Sequence, residues 1–157
     1  MRNERFIVTR ELGKLAKWLR ILGYDSIYYE KKQISGLIIQ ALREKRILLT
    51  RSPVLAKYTG IRVIIVRHDH VEDQIEQVTK EMPLPLKDED LFQRCVECNT
   101  PLEDIAKEEA GAKVPEYVFR TQEVFKRCPQ CGKIFWKGTH WDMVEKALDK
   151  VRGKGRR

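Results

Sequence analysis

The sequence predicts an α/β protein with two parts, a parallel sheet covered by helices and a smaller cysteine-containing module. Short apolar runs rich in β-branched residues alternate with helical patterns over residues 5–66. This alternation is typical of parallel strands that are buried on both faces. The only four cysteines form two Cys-x2-Cys pairs, at Cys95/Cys98 and Cys128/Cys131, which predicts that a second, smaller module follows the sheet.

The elements of the sheet part follow one another at short intervals. Apolar runs predict strands at 5–9, 26–29, 46–50 and 61–66. Apolar residues at helical spacing predict helices at 11–22, 35–44 and 71–80, with a short helix opening at Ser52-Pro53. Gly23 is expected to end the first helix.

A change in composition predicts the domain boundary. The run Met82-Pro83-Leu84-Pro85-Leu86 interrupts the pattern of strands and helices. We therefore predict a linker at 83–91, which leaves an α/β domain at 1–82 and a second domain at 92–157. Within the second domain we predict strands at 117–119 and 133–136, a closing helix at 141–152 and a basic tail at 153–157.

The two cysteine pairs predict a zinc site. Two Cys-x2-Cys turns place four thiolates around one Zn²⁺, as in a zinc ribbon. Asn99 and Gly132 follow the second cysteine of each pair, where a tight turn favours positive φ. Four protein ligands leave no open position, so the ion would be structural. The alternative is a pair of disulfides.

Two absences bear on the compartment. The N-terminus lacks the apolar stretch of a secretory signal, and no apolar run reaches transmembrane length. We therefore expect a soluble protein of the cytoplasm, where thiols stay reduced and zinc thiolates are favoured over disulfides.

The charge balance points to an anionic partner. Lys and Arg number 31 against 23 Asp and Glu, which gives a net charge of +8 and makes nucleic acid the first candidate. Charged residues make up 34% of the chain, a share that is common in proteins of thermophiles.

Two groups of residues could contact RNA. On the first helix and after the third strand, the candidates are the cations Arg10, Lys14, Lys17, Arg20 and Arg51. In the second domain, cations interleave with aromatic rings that could stack on bases, at Lys133, Trp136, Lys137, His140 and Trp141. The alternatives are a solvated helix face and tryptophans that pack on the small zinc core.

Few acids fall where a metal-dependent nuclease needs them. Ligands bind beyond the carboxyl ends of parallel strands, and a Mg²⁺ or Mn²⁺ site there needs several carboxylates. The chain offers only Glu11, Asp69 and Asp73, whereas Thr9 and Ser52 are neutral. The neighbouring His68-Asp69-His70 could serve as a metal or acid–base group, or be an exposed polar loop.

Eight stretches together resemble a known family. They are 6–8, 12–25, 46–51 and 63–67 in the first domain, and 94–102, 114–118, 127–132 and 136–141 in the second. The run Leu-Gly-Lys-Leu-Ala-Lys-Trp-Leu-Arg at 12–20 is the most specific of them. The chain thus resembles the Mut-seven C-terminal RNase family, a PIN-like domain fused to a zinc ribbon. The resemblance implies a PIN-like three-layer αβα sandwich with a parallel sheet, and a role directed at RNA.

The resemblance fails at the acidic site. Acids that the family places at the strand ends and at the second helix fall on Thr9, residues 34–36 and Ser52, and only Asp69 keeps its place. We therefore predict an RNA-binding protein that is not catalytic, with transfer RNA or ribosomal RNA as candidate targets. Two alternatives are a Mg²⁺- or Mn²⁺-dependent ribonuclease that uses Glu11, Asp69 and Asp73, and a module that associates with the ribosome or another ribonucleoprotein.

Overall fold

The chain forms two compact units that divide between Asn99 and Thr100. The computed structural model describes residues 3–155, and for residues 139–140 and 154–155 it describes the backbone only.

The first unit is built on a four-stranded parallel sheet. The strands are β1 (Arg5–Thr9), β2 (Asp25–Tyr29), β3 (Ile47–Thr50) and β4 (Val63–Ile65), in the order β2-β1-β3-β4. The α-helices are α1 (Gly13–Ile21), α2 (Ile34–Glu44) and α3 (Val71–Glu81), and short 3-10 helices cover Arg10–Leu12, Pro53–Lys57 and Asp88–Asp90. The α/β class and the parallel sheet predicted from the sequence are confirmed.

Both faces of this sheet are buried. Ile7 of β1 and Leu48 of β3 pack in one cluster with Leu37 of α2. Their neighbours Phe6 and Leu49 are fully buried as well. Because successive side chains of a strand point to opposite faces, the second face is covered too.

The segment after α3 packs on the first unit. Leu84 and Leu91 are buried. The Tyr24 hydroxyl donates to the Pro85 carbonyl at 2.8 Å, and the Phe92 amide donates to the Ile21 carbonyl at 2.9 Å. The segment predicted as a linker, 83–91, is thus held by buried leucines and backbone bonds, and the first cysteine pair belongs to this unit. A boundary between independently folding domains stays a prediction.

The second unit carries a three-stranded antiparallel sheet. Its strands are β5 (Glu103–Ile105), β6 (Phe125–Arg127) and β7 (Ile134–Trp136), in that order. Helices α4 (Lys107–Ala110), α5 (Glu116–Thr121) and α6 (Thr139–Gly155) complete it. One small core cluster of this unit is made of the buried residues Ala110, Val118, Phe125 and Ile134.

One predicted strand of this unit is wrong. Residues 117–119 lie in α5, because the Pro115 carbonyl accepts the amides of both Val118 and Phe119 and starts a helical turn. Val118 is buried whereas Tyr117 is 64% exposed, so the apolar triplet does not form a buried run.

The closing helix is longer than predicted. Helix α6 spans Thr139–Gly155 and buries Val144, Leu148 and Val151 on one side. In the described part of the chain, no helix combines the length and the apolar character needed to cross a membrane.

Candidate nucleic-acid and metal sites

The carboxylate of Glu11 lies at the carboxyl end of the parallel sheet, where three donors converge on one of its oxygens. The Thr9 hydroxyl donates to Oε1 at 2.6 Å, the Thr50 hydroxyl at 3.3 Å and the Arg51 amide at 3.1 Å. Thr9 ends β1 and Thr50 ends β3, and these strands are neighbours. The 3-10 turn that follows β1 places Glu11 over the strand ends.

This environment keeps Glu11 ionised. Partial burial by itself would raise the pKa of the carboxyl group, but the hydrogen bonds from Thr9, the local backbone, Arg51 and Thr50 outweigh it. The pKa of Glu11 therefore lies below its ordinary value. Near neutral pH the strand ends hold a negative charge that the chain itself supplies.

The second predicted acid, Asp69, is paired with Arg51. One guanidinium nitrogen of Arg51 donates to Asp69 Oδ1 at 2.9 Å, and another donates to the His68 carbonyl. The Asp69 side chain is 86% exposed, so this ion pair is a surface interaction of modest strength. Arg51 nonetheless places a fixed positive charge beside the acid.

A cleft of about 250 Å³ opens beside Glu11 and Asp69. Its polar lining residues are Glu11, Lys14, Asp69, His70, Glu72 and Gln74. Asp73, which was predicted as a third acid, is not part of the lining, whereas Glu72 is. The sequence shows both acids in the first turn of α3, but which one faces the cleft depends on the helix position, which the sequence leaves open.

These acids do not converge as a metal site. In the part of the chain that the structure describes, the group of three or more potential ligands that comes together is the four cysteines, and it does not include Glu11, Asp69 or Glu72. A Mg²⁺ ion prefers an octahedral oxygen shell with more than one carboxylate. Among the described residues, no three acids come together at this edge.

The cations of the first helix fall into two groups. Arg10 and Lys14 are exposed and, within the described residues, neither forms an ion pair. Lys17 lies 3.5 Å from Glu97. Arg10 and Lys14 thus remain available to a phosphate backbone, and Lys17 is partly neutralised.

Arg20 is buried. Its guanidinium group donates to the carbonyls of Ser26 at 2.9 Å, Val96 at 2.7 Å and Glu97 at 3.3 Å. The first cysteine pair is thereby tied to the sheet of its own unit. Because Arg20 is buried and its guanidinium is occupied by these carbonyls, it does not belong to the exposed cations that could contact RNA.

In the second unit the cations and aromatic rings contact one another. Lys137 lies over the Trp141 ring at 4.3 Å, and the Trp141 indole donates to Glu145 at 2.6 Å. Lys133 Nζ lies 5.6 Å from the ring centre of Phe135, which was not among the predicted RNA contacts.

Two further residues of this unit, Trp136 and His140, were predicted to contact RNA. Trp136 packs against the small core, as the alternative interpretation held. The side chain of His140 lies outside the described residues.

The four cysteines come together. Their sulfur atoms all lie within 4.8 Å of one another. Zn–S bonds of about 2.3 Å in a tetrahedron place sulfurs roughly 3.8 Å apart, so this cluster is compatible with zinc. None of the four is in a disulfide, which removes that alternative for these residues.

The backbone around the cysteines has the geometry of two metal-binding turns. The Cys98 amide donates to Cys95 Sγ at 3.4 Å, and the Cys131 amide donates to Cys128 Sγ at 3.5 Å. Asn99 has φ 64° and Gly132 has φ 79°, which confirms the predicted positive φ after each pair. Donation to a sulfur favours its thiolate form, the form that binds a metal.

Comparison with known proteins places the chain in a class. The family model of the Mut7-C RNAse domain matches residues 4–148, nearly the whole chain. The protein belongs to this family, which is a nuclease-type family related to RNA. No curated protein and no solved structure matches the chain.

Proposed function

We propose that the protein binds RNA on a PIN-like fold and does not cleave it. The proposal rests on one observation. Both acids beyond the strand ends, Glu11 and Asp69, already form hydrogen bonds or an ion pair with other groups of the protein. Glu11 accepts three hydrogen bonds on one oxygen, and Asp69 is paired with the Arg51 guanidinium.

Both arrangements oppose a catalytic metal ion. A Mg²⁺ ion that recruited Glu11 Oε1 would compete with the three donors, two of which are hydroxyls of buried threonines. The Arg51 guanidinium next to Asp69 would repel a divalent cation at the remaining carboxylate. Metal-dependent hydrolysis of a phosphodiester bond therefore lacks its ligand set here.

The same edge suits a phosphate backbone. Arg10 and Lys14 are exposed beside it and form no ion pair within the described residues. Both contribute to the net charge of +8, and cations of this kind supply affinity that falls as salt rises. Structured RNA, such as transfer RNA or ribosomal RNA, is the target that we propose.

Lys14→Glu tests the proposal, because it reverses a charge that lines the cleft. We expect RNA affinity to fall about tenfold at moderate salt. The slope of log affinity against log salt concentration should also become shallower, by the amount that one or two phosphate contacts contribute. Lys45→Glu is the matched control, because it makes the same change of charge far from the cleft. Lys45 lies between α2 and β3, at the amino end of β3, whereas the cleft lies at the carboxyl end of the sheet. Filter binding over a range of KCl concentrations measures both quantities.

The control distinguishes a specific loss of RNA binding at the strand ends from a general effect of lowering the net charge. An affinity that responds equally to Lys14→Glu and Lys45→Glu, or that ignores salt, would refute RNA binding at the strand ends.

A metal-dependent ribonuclease is the second candidate function. It is favoured by the three carboxylates that line one cleft, those of Glu11, Asp69 and Glu72. A rearrangement on binding RNA would have to bring them together. Mn²⁺-dependent cleavage that Asp69→Asn or Glu72→Gln abolishes would support this candidate, and cleavage unaffected by both variants would point to a contaminating enzyme.

We also propose Zn²⁺ as the ion of the four cysteines and the cytoplasm as the working compartment. Four thiol ligands without a disulfide support zinc, which would hold the cysteine turns in place. Reduced thiols persist in the cytoplasm. Association with the ribosome or another ribonucleoprotein fits the same basic surface, and co-sedimentation with ribosomal subunits tests it.

A further inference from the structure

We propose that the three donors around Glu11 form a phosphate-binding site that Glu11 now fills as an internal substitute. The donors are the Thr9 hydroxyl, the Thr50 hydroxyl and the Arg51 amide. The Glu11 carboxylate has to move away for a phosphate oxygen to take its place. The existence of the site is independent of the proposed function, and only the assignment of RNA as its ligand rests on it.

The donors are fixed by the fold. Thr50 is fully buried and Thr9 nearly so, and both end neighbouring strands of the parallel sheet. The Ser52 amide donates to Thr50 Oγ1 at 3.1 Å, which leaves the hydroxyl proton of Thr50 to point toward Glu11. Three donors aimed at one point from rigid positions make a preorganised site for an oxygen anion.

The group that occupies the site is the movable one. Glu11 is exposed, and its residue belongs to a three-residue 3-10 turn rather than to a strand. Within the described part of the chain its carboxylate contacts neutral donors and forms no ion pair. Vacating the site breaks the hydrogen bonds that the Glu11 side chain accepts from Thr9, Thr50 and Arg51, and none of these is a backbone-to-backbone bond of the sheet.

Phosphate is the anion that the surroundings favour. Phosphate and carboxylate oxygens accept the same charge-assisted hydrogen bonds, so donors that hold Glu11 can hold either. Lys14 lines the cleft beside Glu11, and Arg10 directly precedes it in the same turn. These two cations would neutralise a phosphate, whereas the Glu11 charge now repels one. Glu11 thus acts as a built-in competitor that weakens binding.

Glu11→Ala tests the inference, because it empties the site and removes the competing charge. The probes are inorganic phosphate and two RNA oligonucleotides of one sequence, with a 5′-phosphate or a 5′-hydroxyl. We expect about tenfold tighter binding of at least one probe by Glu11→Ala than by the wild type. Glu30→Ala is the matched control, since it removes an exposed carboxylate just after β2 and should leave affinity nearly unchanged.

A second change ties the gain to the donors. In the Glu11→Ala background, Thr50→Val removes one hydroxyl at nearly constant shape and should abolish most of the gain. Thr9→Val serves the same purpose should Thr50→Val prove unfolded by circular dichroism.

The outcomes distinguish the sources of the phosphate. A gain confined to the 5′-phosphorylated oligonucleotide assigns the site to an RNA end, and an equal gain with both assigns it to the internal backbone. No gain with any probe, or an equal gain with Glu30→Ala, overturns the inference. The affinity of the wild type for RNA, measured in the same series, tests the proposed function separately. The wild type can bind RNA tightly or not at all, whether or not Glu11→Ala increases the affinity for phosphate.

Discussion

Asp25 lies in a network that connects β2 with the turn of the first cysteine pair. Its carboxylate accepts hydrogen bonds from Arg46 at 2.8 Å and from the Asn99 side-chain amide at 2.7 Å. The Asn99 carbonyl oxygen of the side chain accepts the Ser26 amide at 3.0 Å. With Arg20, which binds the Val96 and Glu97 carbonyls, these contacts hold residues 95–99 against the sheet edge of their unit.

The burial of Arg20 could not be predicted from the local sequence. The spacing of Arg10, Lys14, Lys17 and Arg20 along the helix predicts a common side, and the structure exposes the first three but buries the fourth. The carbonyls that bind Arg20 belong to residues far along the chain, which no local pattern reveals. The same holds for Glu11, whose donors Thr50 and Arg51 reach it only through the pairing of β1 with β3.

Asp25→Asn should lower the stability of the first unit in a pH-dependent way. Burial by itself would raise the pKa of Asp25, but hydrogen bonds from Arg46 and Asn99 and the charges of Arg46 and Arg94 outweigh it, so the pKa is lowered. A lowered pKa contributes stability above the unfolded value of about 3.9, which is lost as pH falls toward the folded value. We expect a cost of about 2 kcal/mol at pH 7 that shrinks below about pH 4.

Urea unfolding of wild type and Asp25→Asn at pH 7, 5, 4 and 3 measures this difference. Glu30→Gln, an exposed carboxylate after the same strand, should show no such trend. A cost for Asp25→Asn that stays constant down to pH 3 would show that the ionised carboxylate is not what stabilises the network.

At the level of elements, sequence patterns predict the first unit better than the second. Buried parallel strands such as Ile47–Thr50 are continuous apolar runs and are easily recognised. In the second unit, β5 and β6 have three residues each and carry charges, so no run marks them. The apolar triplet at 117–119 has high β propensity but lies in α5, because tertiary context decides such short segments.

The second unit should depend on zinc for its fold. Its cluster of Ala110, Val118, Phe125 and Ile134 is small, and small cores of this kind need a metal or another crosslink. We expect a strong chelator at neutral pH, or Cys128→Ser, to remove amide-exchange protection from β6 and β7. The amides of β1 and β3 should stay protected, since their own core is larger.

Hydrogen exchange with mass spectrometry measures both units in one sample. Adding back Zn²⁺, but not Mg²⁺, should restore protection in the chelated wild type. Loss of protection in β1 and β3 together with β6 and β7 would contradict this prediction, and would show that the two units unfold as one.

At the level of the whole molecule, charge and acidic residues point the same way. The chain carries a net charge of +8, and Thr9, which ends β1, and Ser52, which follows β3, are neutral. The sequence therefore predicts the loss of a metal site. The structure adds what the sequence does not reveal. Threonine hydroxyls donate to Glu11, and Arg51 donates to Asp69.

The most direct test of the central claim measures RNA binding and cleavage together. Purified, zinc-loaded protein is incubated with end-labelled structured RNA in Mn²⁺ or in EDTA, and each sample is run on a native gel and on a denaturing gel. We predict a shifted complex on the native gel and intact RNA on the denaturing gel in both conditions. Cleavage that occurs in Mn²⁺ and is absent in EDTA and in Asp69→Asn would contradict the account, because it would show that these acids still hold a catalytic metal.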